Sequence, residues 1–134
     1  MASLKGGETL YNNVSVSASS NQKSALAYVG PGPYVSLFIT NLGANSLTFK
    51  VQASGTAKAQ AGRNALDSTA DGGLTWFDYT GPGGDGAETA IVVAGGAAVA
   101  IDLAPFSPEF IRIFCTVGGS ASNVTAFVTS FGPN

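Results

Sequence analysis

The chain has 134 residues, 45% of them apolar and only 10% charged, with six basic and eight acidic residues, a net charge of −2 and no histidine. That length is one domain's worth, and at this size folding hides roughly two-thirds of the unfolded surface. Lys5, Lys23, Lys50, Lys58, Arg63 and Arg112 are scattered rather than clustered, so a nucleic-acid footprint is excluded, and no apolar run approaches the ~20 residues of a membrane helix.

Ordinary soluble domains carry roughly 25% charge. A surface made instead of Ser, Thr, Asn, Gly and Ala repels other copies weakly and suits a protein packed against neighbours. Cys115 is the only cysteine, which excludes an internal disulfide framework. The amino end, MASLKGGETLYNN, has no apolar h-region, so synthesis in a cytoplasm without a signal peptide is expected.

Residues 1–8 carry no periodicity and read as an arm that orders only against another subunit, followed by a domain over 9–134. From Thr9 to Ala18, Leu10, Val14 and Val16 alternate with polar residues as a first strand, and Lys23 to Val29 makes a second. Gly30 to Pro33 is a turn, because proline lacks the amide donor that a ladder requires. Tyr34 to Ser54 then reads as a β-hairpin, with Leu47, Phe49, Val51 and Ala53 alternating against Thr48, Lys50 and Gln52. The polar segment Gly55 to Leu74 is a surface excursion or contains a short helix over Lys58 to Leu66. Thr75 to Tyr79 forms a short aromatic strand, and TGPGGDGAE breaks the chain again. Thr89 to Val93, Ala97 to Leu103, Phe110 to Val117 and Val124 to Phe131 complete the set.

About eight or nine short strands separated by Gly, Pro and Asn turns predict an all-β, single-domain antiparallel sandwich, jelly-roll-like before immunoglobulin-like. Strands Tyr34 to Thr40, Phe110 to Val117 and Val124 to Phe131 are apolar on both faces. Arg112 between Phe110 and Phe114 marks the aromatic face as the outer one, which predicts a homo-oligomer with Phe38, Phe114 and Phe127 at the contact.

Signals for chemistry are weak. Without histidine the commonest general base and metal ligand are both missing, and Asp67, Asp71, Asp78, Asp85 and Glu88 lack a defining spacing, so neither an enzyme nor a cofactor or metal site is expected. GPGGDG at 81–86 has no Lys-Ser/Thr ending and reads as a turn. Cys115, in phase with Ile111, Ile113 and Val117, reads as a small buried apolar residue. The aromatics Trp76, Phe77 and Tyr79 fit core, protein interface or a sugar-stacking platform alike, the last with Asp71, Asp78 and Arg63 to fix hydroxyls.

The stretch PYVSLFITNLGANSLTFKVQASG, a Trp-containing middle and the closing FIRIFCTVGGSASNVTAFVTSFG together resemble small β-sandwich proteins of bacteriophage particles. The group resembled is that of capsid decoration, or cement, proteins and related tail or fibre modules. The resemblance implies a virion structural protein, a homotrimer clamping neighbouring major-capsid subunits on the outside of an icosahedral shell, and no shared catalytic residues. A carbohydrate-binding or tail-fibre-type adhesion module and an extracellular filament subunit are the alternatives.

Overall fold

A computed structural model describes residues 2–29, 34–54, 76–80, 90–103 and 109–133. Among the described residues there are nine strands: β1 (Ala2–Val16), β2 (Ala27–Tyr28), β3 (Tyr34–Asn41), β4 (Leu47–Ser54), β5 (Phe77–Asp78), β6 (Ile91–Val93), β7 (Ala98–Asp102), β8 (Phe110–Val117) and β9 (Ser122–Pro133). They form two antiparallel sheets, one in the order β1-β9-β3-β7 and one in the order β2-β8-β4-β5, with β6 also pairing to β4. The pairs β1 with β9, β2 with β8, β3 with β7 and β4 with β6 are nested around the middle of the chain. This nesting is the jelly-roll winding, and β5 is an addition that shares the edge of β4 with β6.

Each side of the core follows from alternation. Val35, Leu37 and Ile39 of β3 and Val124, Ala126 and Val128 of β9 point inward from one sheet, against Leu47, Phe49, Val51, Ile111, Ile113 and Cys115 from the other, and all are buried. Leu10 and Tyr11 are adjacent in sequence yet both buried, because a register shift between Thr9 and Tyr11 turns both toward the core. The Tyr11 hydroxyl donates to the carbonyls of Asn21 at 2.7 Å and Gln22 at 2.9 Å, fastening the β1–β2 connection.

Several expectations are corrected. Residues 2–8, expected as an arm, form the first half of β1 and pair with β9 of the same chain from Ala2↔Pro133 onward. Their lack of apolar periodicity hid this strand, whose backbone pairs with that of β9. Tyr34 to Ser54 is not a hairpin, since β3 and β4 lie in different sheets and the 42–46 loop crosses between them. β8 and β9, consecutive in the chain, likewise lie in different sheets. Val117 is exposed, because the bulge between Thr48 and Phe49 inserts Thr116 and turns Val117 outward opposite Thr48. Phe110 lies on the outer face but is buried, edge-on to Tyr28 at 5.3 Å. The turn at 30–33, the 55–74 segment, the break at 80–88 apart from Thr80, and Arg63, Asp67, Asp71, Asp85 and Glu88 lie outside the described residues.

At one end of the sandwich, short loops brace one another around Asn41. This buried amide donates to the carbonyls of Asn45 at 2.7 Å and Val93 at 3.1 Å, while its oxygen accepts from the Gly43 amide and the Ser122 hydroxyl. Gly43 must be small, because a Cβ there would collide with the Ser122 side chain. Replacing Asn41 leaves several buried groups unsatisfied at once. Asn41→Ala is therefore expected to lower the unfolding free energy by about 3 kcal/mol in urea denaturation, and a loss under about 1 kcal/mol would contradict the bracing role.

Candidate functional site: two outward faces

Once alternate residues are committed to the core, the remaining side chains form two outward faces, and the expected interface residues are divided between them. Phe38 and Phe127 face each other across β3 and β9 on the four-stranded sheet, with rings stacked 4.8 Å apart at 18°. Phe114 lies on the outer face of the five-stranded sheet, where Lys50 is its cross-strand partner. The three rings expected at one contact therefore belong to opposite sides of the sandwich. Alternation showed that each points outward; which sheet each strand joins depends on pairing.

Around Lys50, Gln52 and Arg112 the five-stranded face is closed by its own interactions, while Val92 and Val117, either side of Thr48, stay 60% and 61% exposed. Its cross-strand rows are Thr48 with Val92 and Val117, Lys50 with Phe114, Gln52 with Asp78 and Arg112, and Ser54 with Phe110. Gln52 donates from Nε2 to Asp78 Oδ1 at 3.0 Å and accepts on Oε1 from Arg112 Nε at 2.8 Å. Lys50 Nζ donates to Asp78 Oδ2 at 3.1 Å and lies 4.8 Å above the Phe114 ring. The Arg112 guanidinium, on a residue only 4% exposed, stands 4.4 Å over the Trp76 ring. Burial of a guanidinium is tolerable here because the Gln52 amide oxygen and the Trp76 ring face both partner it.

The aromatic segment around β5 serves that closure. Trp76 is half-buried and covers Arg112, and Tyr79 packs against the core with its amide donating to the Val51 carbonyl at 2.8 Å. Phe77, opposite Ala53 in the register, is 62% exposed at this edge. Arg112 takes one face of the Trp76 ring, and Tyr79 is partly buried against the core.

The four-stranded face is open. Tyr34, opposite Phe131, extends the Phe38–Phe127 stack into two aromatic rows. Tyr34 is 51% exposed, Phe127 42% and Phe131 36%. Between and beside these rings stand small residues, Gly7, Thr9, Ser36, Thr40, Ala98, Ala100, Thr125 and Thr129, so the face is flat. Asp102, whose Oδ1 accepts the Ser36 hydroxyl at 2.7 Å, is the charge in its cross-strand rows. Tyr34 and Phe131 were absent from the expected interface set, although each lies four residues from Phe38 or Phe127 and so shares a face with it by the two-residue period.

Cys115 is buried, as expected, and burial pushes its thiol pKa up, away from the reactive thiolate. Among the described residues no group of three or more His, Cys, Asp or Glu could hold a metal ion, and no helix is long and apolar enough to cross a membrane. No protein-family model matches the chain, and no curated protein matches it.

The Asp78 bridge makes a pH prediction. The Gln52 hydrogen bond, then the Lys50 hydrogen bond and charge, hold its carboxyl below the usual 3.8 against an opposing desolvation. A depressed folded pKa means that the unfolded chain binds the proton first, so this stabilisation is present above the unfolded value and is lost as pH falls through the folded one. Half-exposure of Asp78 keeps the effect small. Asp78→Asn is expected to flatten the fall in urea midpoint below about pH 4, and a variant with the wild-type acid slope would refute the assignment.

Proposed function

We propose that this chain is a virion structural protein that binds and reinforces the outer surface of a phage capsid as a decoration protein, acting as a homo-oligomer through buried area rather than chemistry. The observation that carries this reading is the open aromatic face of the four-stranded sheet. Two rows of rings on a flat surface, with Asp102 the one charge in its described cross-strand rows, amount to an apolar patch on the order of a few hundred Å², at the upper end of what soluble monomers expose. Such a patch is stabilised by a partner that covers it. Its aromatic centre and small hydroxyl-bearing rim have the anatomy of a protein interface.

The jelly-roll winding supports the reading, because this architecture supplies rigid sheet faces whose outward residues vary without disturbing the core. The low charge of the whole chain supports it too, since a protein crowded against identical neighbours is favoured by weak self-repulsion. In this reading the major-capsid lattice is the partner and the virion surface the location, reached after synthesis in the host cytoplasm. The carbohydrate-binding alternative draws less support, as one face of Trp76 is taken by Arg112 and Tyr79 packs against the core.

Truncating both stacked rings tests the reading without touching the core. The double variant Phe38→Ser, Phe127→Ser is expected to fold with a near-wild-type urea midpoint and to bind shells of the encoding phage at least about 30-fold more weakly, the equivalent of about 2 kcal/mol at a central aromatic contact. Phe77→Ser, on the other side of the sandwich, should bind as wild type. Equal binding by the double variant and the wild type would overturn the role of this face.

A further inference from the structure

The two edges of the four-stranded sheet are built differently. Along β1 the register with β9 shifts between Leu4 and Gly6, between Thr9 and Tyr11 and between Tyr11 and Val14, and Asn13 adopts a φ of 51°. Such irregularities interrupt a strand's outer row of amides, which is how natural sheets keep an edge from pairing. β7 has none of them. Its sequence, AVAID, contains no proline, lysine or glycine, and it runs in unbroken register with Ser36 to Thr40. Among the described residues it is the last strand of its sheet.

The register also decides which amides point outward. Leu103 N donates to Val35 O, and Asn41 N donates to Ala97 O. Odd-numbered positions therefore bond to β3, and by antiparallel alternation Ala98, Ala100 and Asp102 direct their N–H and C=O away from the sheet. All three residues are exposed. Val99 and Ile101 face the core but are only half-buried, whereas Ile39 and Leu37, opposite them on β3, are fully buried. The core layer thus thins at this margin. Asp102, the one charge on the strand, is drawn back over β3 by the Ser36 hydroxyl at 2.7 Å and does not guard the edge.

We propose that β7 pairs edge to edge with β7 of a second copy of this chain, antiparallel about a two-fold axis at Ala100, to make one continuous eight-stranded sheet. The strand is self-complementary in this register: Ala100 meets Ala100 and Asp102 meets Ala98, so the two carboxylates stay apart. The three outward residues of each copy give about six backbone hydrogen bonds. Val99 and Ile101 of each copy extend the partner's core layer. With the axis normal to the sheet, the aromatic faces of both copies lie on the same side and merge into one docking surface. The use of that merged surface rests on the decoration reading above; the pairing itself does not. An isologous contact closes at two copies, so the unit is a dimer rather than the trimer that resemblance to decoration proteins implies.

Sedimentation equilibrium of the full chain, Ala100→Pro and Ala100→Lys tests the pairing. Proline removes an outward amide that β3 does not use, and lysine sets two cations against each other at the axis. The wild type is expected to show twice the chain mass, and both variants the chain mass, with unchanged circular dichroism in the lysine variant. Phe38→Ser, Phe127→Ser should remain dimeric, which separates failure of this pairing from failure of the lattice reading. A wild type that sediments as a monomer at high concentration, a trimeric wild type, or a dimer that survives Ala100→Lys overturns the proposal.

Discussion

The structure depends on a period-two register that delivers one apolar row from each of β3, β4, β8 and β9 to the space between two sheets. Val35, Leu37 and Ile39, Phe49 and Val51, Ile111 and Ile113, and Val124 and Val128 are all buried there. Because side chains alternate with a period of two, a slip of one residue would exchange these residues for Phe38, Lys50, Arg112 and Phe127. The register is thereby strongly specified, and the outward residues are placed as firmly as the inward ones. The charge-poor loops around Asn41 hold the strand ends to the same register from outside the core.

What the core leaves over differs between the two sheets. On the five-stranded sheet the outward residues satisfy one another, through Arg112 beneath Trp76, Gln52 between two charged partners, and Lys50 above Phe114. That face is self-contained apart from Val92 and Val117, which stay exposed beside Thr48. On the four-stranded sheet the outward residues are rings and small side chains with few polar partners of their own, so their apolar surface stays in water until something covers it. The proposed recognition role of the four-stranded face rests on this asymmetry. It also accounts for the division of the aromatics: Trp76, Tyr79 and Phe114 support the fold, while Tyr34, Phe38, Phe127 and Phe131 are available to a partner.

Much of this was legible in the residues themselves. The inward rows of β3, β8 and β9 and the outward direction of Phe38, Phe114 and Phe127 follow from alternation alone, as does burial of Cys115. Pairing did not follow, because alternation is the same whether the next strand lies beside its predecessor or faces it across the core. Tyr34 to Ser54 therefore looked like a hairpin, and Phe114 was grouped with rings on the opposite side of the molecule. Single-residue insertions were equally hidden: the bulge that turns Val117 outward and the shift that buries both Leu10 and Tyr11 leave no mark on composition. The half of β1 before Thr9 lacks apolar periodicity, so its order came to light only through its pairing with β9.

The central claim is that the open aromatic face is the surface covered on assembly. Oxidative footprinting of the protein, free and bound to shells of the phage that encodes it, reads side-chain accessibility ring by ring. The account predicts that Tyr34, Phe38, Phe127 and Phe131 lose reactivity on binding while Phe77 keeps it. Protection of Phe77 with the four sheet-face rings as reactive as in the free protein would contradict it.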